Sequence, residues 1–516
     1  MNMAARMVKD GRGEARAWWN TPLFACLLVV VSAVPLLWPT VPPLLDVPGH
    51  MARYRVQLGL ADSFWLQRYF DFHWAPVGNL GADLLVQAIA PVLGLEFTVK
   101  LIAMSIPMLF VGGLLAIGRE VHGRLPPTAA LAAPLAYSTP FLYGFLNFTL
   151  SVSLALFAFA LWVRLARQGR LRLRAILFVP ISLLLYFAHI YGWAVLGLLC
   201  FGAEVVRAHD ERGHGWSNSV VDAALACAVL AAPLVSLLGA VRNAGGQPFD
   251  DWFDLELKLN WLVAVLRDRW KIFDVLSTML CFAAMMFARI DPRLGFSRTL
   301  GAGAMLLGLA CLVLPFWVLN SALADMRLLP AALAIGILSI DSVDQSDRHF
   351  AGKVALVALL FFTVRTVGTT ASFAMSANQQ DEHLAQLDLL PRGARLATLV
   401  GRDCSNPWPS IRDGHLGSMV TVRRDGFSND QWPGQGINLL LVRYRPPNGF
   451  ASDPGQMVQP AECLQNRTVE QALQDLPRQW FDYVWLLGTE TPSERQLRGL
   501  ALVAHSPGAS LYRIVR

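Results

Sequence analysis

Charge is the first thing this sequence has little of: Asp, Glu, Lys and Arg make up 16% of its 516 residues, against 54% hydrophobic residues, and the mean hydropathy is +0.43. A chain so apolar cannot cover a large soluble surface with polar groups, so most of it is expected in lipid. The signatures of common enzymes are missing too. No Ser-His-Asp, HExxH, Walker or dinucleotide-binding pattern occurs in the context that its chemistry requires, which argues against hydrolases and NTPases. There is no low-complexity tract, no aromatic-interleaved basic face and no visible repeat of roughly 20 to 50 residues. The small excess of 43 basic over 37 acidic residues sits in short clusters beside apolar runs. That placement describes membrane topology and excludes nucleic acid as the partner.

What is present is a series of apolar runs, at about 21–41, 98–119, 125–142, 146–164, 174–190, 191–207, 219–241, 272–290, 299–319, 326–342 and 351–374. A span needs ~20 residues, so these predict a polytopic α-helical bundle of about eleven spans over 21–374. Residues 1–20 form a basic N-terminus with Arg6, Lys9, Arg12 and Arg16, which together with the first run resembles a signal peptide. The run is long enough to span, however, and Pro39, Pro42 and Pro43 follow it where a cleavage site would need small residues, so it is expected to stay. With the N-terminus cytoplasmic, five clusters fall on the inner side: Arg119/Arg124, Arg164 to Arg174, Arg207/Arg212, Arg289/Arg293/Arg298 and Arg348/Lys353. Counting 79–94 as a span would break this agreement. It is expected instead to be a helix lying at the outer surface, with Asp83 and Gln87 in water.

The outer face then carries the loops 42–97 and 242–271, short turns near 143–147, 188–192 and 320–326, and the tail 375–516. In the tail, Arg395–Val400, Asn438–Arg443, Tyr483–Gly488, Ala501–Ala504 and Ser510–Ile514 have strand-like content between Pro, Gly, Asn and Asp turns, and Glu470–Leu476 suits a helix. A small α/β or α+β periplasmic domain is expected. Of seven cysteines, five (Cys26, Cys200, Cys227, Cys281, Cys311) lie in apolar runs, which leaves Cys404 and Cys463 to pair in an oxidising compartment or to remain as two buried thiols.

The order of parts carries a resemblance: a first span, a long outer loop with an acid and two surface helices (about 48–60 and 80–93), further spans, and an outer C-terminal domain. With the string Asp46-Val47-Pro48-Gly49-His50-Met51-Ala52-Arg53 at the start of that loop, the chain resembles the GT-C superfamily of membrane glycosyltransferases, which includes oligosaccharyltransferases, protein mannosyltransferases and aminoarabinose transferases. The resemblance implies transfer of a sugar from a polyprenyl-phosphate donor to an acceptor at the outer face of the plasma membrane. It also implies a loop carboxylate that acts as general base or orients the acceptor or a divalent metal ion, and leaves the need for such an ion open. Only Asp46 matches that carboxylate. Many members carry a second acid beside the first or in a later outer loop, whereas here Val47 follows Asp46 and the turn 143–147 has none.

Each candidate residue has a plainer reading beside the functional one. Asp46 precedes Pro48 and could be a helix N-cap. His50 and Arg53 share a helical face with it, as part of a site or as a wet surface. His73, in an aromatic-rich loop, reads as a substrate contact or an interfacial anchor. His189 and Tyr191, at the outer ends of two spans, read as donor contacts or interhelical hydrogen-bonding groups. Asp325 and Arg327 precede a span on the outer side, where the arginine could hold a lipid phosphate or snorkel. Asp250, Asp251, Asp254 and Glu256 could supply the missing acid or metal ligands, or form a solvated loop. Two other functions compete with glycosyl transfer. A transporter or flippase should carry charge within its spans, where only Arg365 stands out; a non-catalytic assembly partner in envelope glycan synthesis needs no second acid.

Overall fold

The computed structural model describes residues 17–243, 249–318, 321–344, 347–432, 439–463 and 466–516. The N-terminal Arg6, Lys9, Arg12 and Arg16, and Asn438 of one expected strand, lie outside the described residues. Six helices are long and apolar enough to cross a membrane: Leu95–His122, Leu146–Arg167, Leu171–Ala188, Ile190–Arg212, Lys271–Ile290 and the one that starts at Arg348. The other runs are helical but short or broken. Thus 125–142 divides into Ala129–Ala132, a 3-10 turn at Ala133–Tyr137 and Thr139–Leu142, with Pro134 and Pro140 interrupting the ladder. Its residues are buried throughout, so neighbouring protein, not lipid, faces the irregular backbone.

The basic clusters meet at one end of the bundle. Arg167 pairs with Glu120 at 2.6 Å, Arg124 with Asp341 at 2.8 Å, and Arg298 with Asp210, while Arg293 lies 3.8 Å from the Phe350 ring centre. A short antiparallel pair, Leu294–Phe296 with Ile340–Ser342, closes that end. Two buried arginines of the bundle are neutralised: Arg365 pairs with buried Asp274 at 2.8 Å, and Arg174 with Glu204 at 2.6 Å.

The last helix, Arg348–Gln386, runs well past the end of its apolar stretch and carries the chain into the tail. There a mixed sheet takes the order Leu500–Ser506, Ala509–Ile514, Tyr483–Leu487, Arg395–Gly401, Phe427–Ser428, with Met457–Val458 also against Arg395–Gly401. The strand Arg395–Gly401 is parallel to all three of its partners, and the two C-terminal strands form a hairpin. The expected strand around 438–443 forms at Leu440–Val442, but it pairs with Phe70–Phe72 of the long loop and not with this sheet. Buried Leu66, Tyr69 and Phe70 of the loop pack into the tail's apolar core with Leu399, Phe427 and Phe481.

The two loop helices appear as Val47–Gly59 and Gly81–Leu93. The second corrects an expectation: Asp83 is not in water but fully buried, 2.9 Å from Arg53 and 3.0 Å from Asn147 Nδ2. The exposed face carries Leu84, Leu85 and Val92, with Gln87 alone of the expected polar pair reaching solvent. A carboxylate near lipid is better placed against a buried guanidinium than beside acyl chains, and the helix is turned accordingly.

The tail is fastened to the bundle by buried polar contacts. Arg412 donates to Asp268 and to the carbonyl of Pro43, and its guanidinium lies 3.3 Å from Ser372 Oγ on the long last helix. Trp408 Nε1 donates to Asp274 at 2.9 Å, and Gln380 to Asp413 at 3.0 Å. These contacts fix the segment 408–418 over the start of the first loop helix.

Candidate active site

Between bundle and tail lies a cavity of about 700 Å³. It draws residues from every short segment expected on the outer face: Asp46 and His50 from the long loop, Tyr143, Phe145 and Asn147, His189, Ser321, Leu323 and Arg327, and then Arg402, His415, Trp432 and Asp453 from the tail.

Asp46 occupies the N-cap position of Val47–Gly59, yet its carboxylate accepts no capping hydrogen bond. The capping account of this acid therefore fails, and its side chain is left for the cavity. Its backbone N–H donates to the Tyr143 carbonyl at 2.9 Å. This approach depends on Gly144, at φ +85°, where a Cβ would stand 2.9 Å from the Asp46 nitrogen. Burial pushes the Asp46 carboxyl up to about 6, with Asp453 adding to the rise and His415 and Arg327 opposing it. Such a carboxyl is ionised at neutral pH but close enough to its midpoint to exchange a proton. His50 is pushed well below the ordinary imidazole range by burial, then by Arg53 and His415, so it is neutral. Arg53 lines the cavity but is already neutralised by Asp83.

Arg327 is the contrasting cation. It is buried, and its guanidinium donates to Ser321 Oγ at 2.8 Å and to the carbonyls of Ala322 and Leu323 at 2.9 and 3.3 Å. Phe145, Tyr191 and Phe148 stand around it, with ring centres 4.4, 5.4 and 5.7 Å away. Among the described residues no carboxylate forms an ion pair with it. A buried cation held by neutral acceptors and aromatic faces, at the edge of a cavity, is chemically able to receive an anion.

His189 lines the cavity, where its Nδ1 accepts from Tyr191 N at 3.2 Å as a helix cap; Tyr191 stands behind, against Arg327. Two candidates are elsewhere. Asp325 faces away toward Lys258, 3.5 Å distant. His73 is exposed beside Asp71 at 3.2 Å, next to the strand that joins the tail, so its loop is held by protein and does not line the cavity. The acidic loop is also outside it. Asp254 caps the helix Leu255–Ala264 and Asp250 is exposed.

The tail's contribution was not foreseen. His415, Trp432, Asp453 and Gln456 line the cavity, and Arg402 enters it directly after the strand Arg395–Gly401, at the carboxyl end where parallel sheets present ligand-contacting residues. Trp432 lies between two imidazoles, with ring centres 5.0 Å from His50 and 4.5 Å from His415. Gly49 makes room for it, since a Cβ there would stand 2.7 Å from the indole. The only sequence signals were the turns Asp413-Gly414-His415 and Asp453-Pro454-Gly455, which read as ordinary loop punctuation. Cys404 and Cys463 form a disulfide with Cα atoms 5.8 Å apart, as expected from their placement. No three His, Cys, Asp or Glu side chains gather as a metal-holding group among the described residues, so this donor set does not fit an ion held by the protein alone.

No protein-family model and no curated protein matches the sequence. Among solved structures, ArnT from Cupriavidus metallidurans bound to undecaprenyl phosphate is 14% identical and superposes with a TM-score of 0.50 over 96% of this chain and 97% of that one. The apo form of ArnT gives the same values. Arabinofuranosyltransferase AftD from Mycobacteria is 14% identical at a TM-score of 0.46, over 96% of this chain but 40% of its own. At this identity, what is shared with ArnT is the fold: a GT-C-like membrane bundle with a C-terminal domain containing a sheet.

Proposed function

We propose that this protein transfers a sugar from a polyprenyl-phosphate donor to an acceptor hydroxyl in the cavity between bundle and tail. The observation that carries the reading is the placement of Asp46 and Arg327 in one cavity, a carboxylate that does not cap its helix and a buried arginine that pairs with no acid among the described residues. The shared fold adds weight, because the ArnT structure holds undecaprenyl phosphate. In this reading Arg327 receives the lipid phosphate. Asp46 takes the proton of the acceptor hydroxyl as its oxygen attacks the anomeric carbon, and the bond from that carbon to the phosphate breaks. Negative charge that builds on the leaving phosphate meets a guanidinium already fixed by three hydrogen bonds, so little reorganisation is required during reaction. Asp453 stands in for the second acid that the loop lacks, orienting the acceptor from the tail side.

The cavity is assigned to the outer face of the plasma membrane, with the N-terminus cytoplasmic and the tail periplasmic. Five basic clusters at the opposite end and a disulfide in the tail support this orientation. Arg365, the charge that would favour transport, is tied to Asp274 and offers that reading no support. The test is transfer from polyprenyl-phosphate sugars by the purified protein in lipid vesicles. Transfer that is lost in Asp46→Asn supports the proposal; no transfer from any such donor by the wild type would remove it.

A further inference from the structure

The position of one hydrogen on a tail residue is set by geometry. His415 Nδ1 lies 2.6 Å from the carbonyl oxygen of Asp430, and a carbonyl only accepts, so Nδ1 carries a hydrogen. The other nitrogen, Nε2, lies 3.6 Å from Asp46 Oδ1. In the neutral ring this nitrogen presents a lone pair toward a carboxylate oxygen. The two repel until a proton comes between them, and one proton turns the repulsion into a charge-assisted hydrogen bond.

We propose that Asp46 and His415 form a two-group base that takes up one proton in each turnover, with His415 as the positioning and proton-relay partner supplied by the tail. This rests on the transferase reading above. The acceptor hydroxyl gives its proton to Asp46 as its oxygen bonds to the anomeric carbon. The carbon–oxygen bond to the donor phosphate breaks, and the electron pair leaves with the lipid phosphate. The proton passes from Asp46 to His415 Nε2, which restores the carboxylate for the next turnover, and then leaves to water. The groups around His415 suit a transient imidazolium. Asp46 faces one nitrogen and the Asp430 carbonyl the other, and the Asp430 carboxyl is fixed by Ser418 N and Oγ at 2.8 and 2.7 Å. His50 is neutral and packs on Trp432 as His415 does, Asp453 lines the same cavity, and Arg53 is neutralised by Asp83. The ring itself is buried and its segment is held through Arg412, so the nitrogen stays aimed at Asp46.

The relay has its own tests. His415→Gln in the full-length protein should lower kcat about 10²-fold, within the range for a general base, and leave KM for the lipid-linked donor within about twofold. Added imidazole should restore part of kcat, which it would not do for a misfolded variant. A second measurement needs no turnover: 15N spectra of histidine-labelled protein should place the His415 hydrogen on Nδ1, and the Nε2 signal should move in Asp46→Asn. An active wild type whose kcat survives His415→Gln within threefold would overturn the relay, as would an Nε2 signal that does not move in Asp46→Asn. If the wild type transfers no sugar, the transferase reading fails, and the spectra alone decide whether the pair is coupled.

Discussion

The cavity has two walls of different chemistry. The bundle wall presents Arg327 among Phe145, Phe148 and Tyr191, fixed by neutral oxygens of its own loop. The tail wall presents His415, Asp453, Gln456 and Trp432, groups that titrate, orient hydroxyls or offer a flat apolar face. Asp46 sits where the two meet, on the loop that leaves the first span. The difference teaches that, under the proposed function, affinity for an anion and chemistry on a hydroxyl fall to separate structural layers. A buried cation is tolerable beside lipid if its hydrogen bonds are satisfied and an anion arrives, and a bundle of packed helices can hold it still.

This division can be broken by substitution, and the largest effect is expected at the meeting point. Asp46→Asn should lower transfer by ~10²–10⁴-fold and leave the fold intact, because the carboxylate makes no capping bond. Its folded pKa of about 6 lies above the ordinary carboxyl value, so above pH 6 the ionised group weakens the fold, and this penalty is relieved as pH falls through 6. Thermal unfolding at pH 7 should therefore show Asp46→Asn to be no less stable than wild type; an unstable variant would return this acid to a structural role.

Next in size is the clamp between the layers. Arg412→Ala leaves Asp268 buried without its partner, which typically costs ~3–5 kcal/mol. Protease protection of the tail should drop, and transfer should fall with it because His415 lies three residues from the clamp. Unchanged protection would show that the apolar core joining bundle and tail holds them together unaided.

On the bundle wall the effect should be smaller and of another kind. Arg327→Ala should raise KM for the lipid-phosphate donor ~10–100-fold, the worth of charge-assisted hydrogen bonds of ~1.5–3 kcal/mol, with a lesser change in kcat. Arg327→Lys should recover only part, since the planar fork is lost. A kcat loss as large as that of Asp46→Asn would erase the distinction between the walls. The smallest effect is that of pH. Because burial raises the Asp46 carboxyl to about 6, kcat/KM should fall about tenfold per unit below that pH and level off above it. A profile flat from pH 5 to 7 would place the essential base elsewhere.

How far the sequence could be read differs between these same layers. Each of the eleven apolar runs contains helix, though only six helices are long and apolar enough to cross a membrane, and basic clusters meet at one end, because run length and flank charge are local properties. Short tail strands at Arg395–Gly401, Tyr483–Leu487 and Ala509–Ile514 were visible from β-branched and aromatic content. Asp83 was misjudged, because an acid on an otherwise apolar helix reads as a water-facing residue until its partner is known. That partner, Arg53, reads from the sequence as part of a site or of a wet surface.

Local chemistry in the sequence determined which segments are apolar helices, which two cysteines were free to pair, and that Asp46 and Arg327 deserved testing, since run length, flanking charge and residue type act over a few neighbours. Only the tertiary structure decided that Asp46 faces the cavity without capping its helix, that Arg53 is neutralised and Arg327 is not, and that His415 meets a carboxylate some 370 residues earlier. Those outcomes depend on which buried groups find partners, and in a folded chain partners are chosen by proximity in space, on which residue order places almost no constraint.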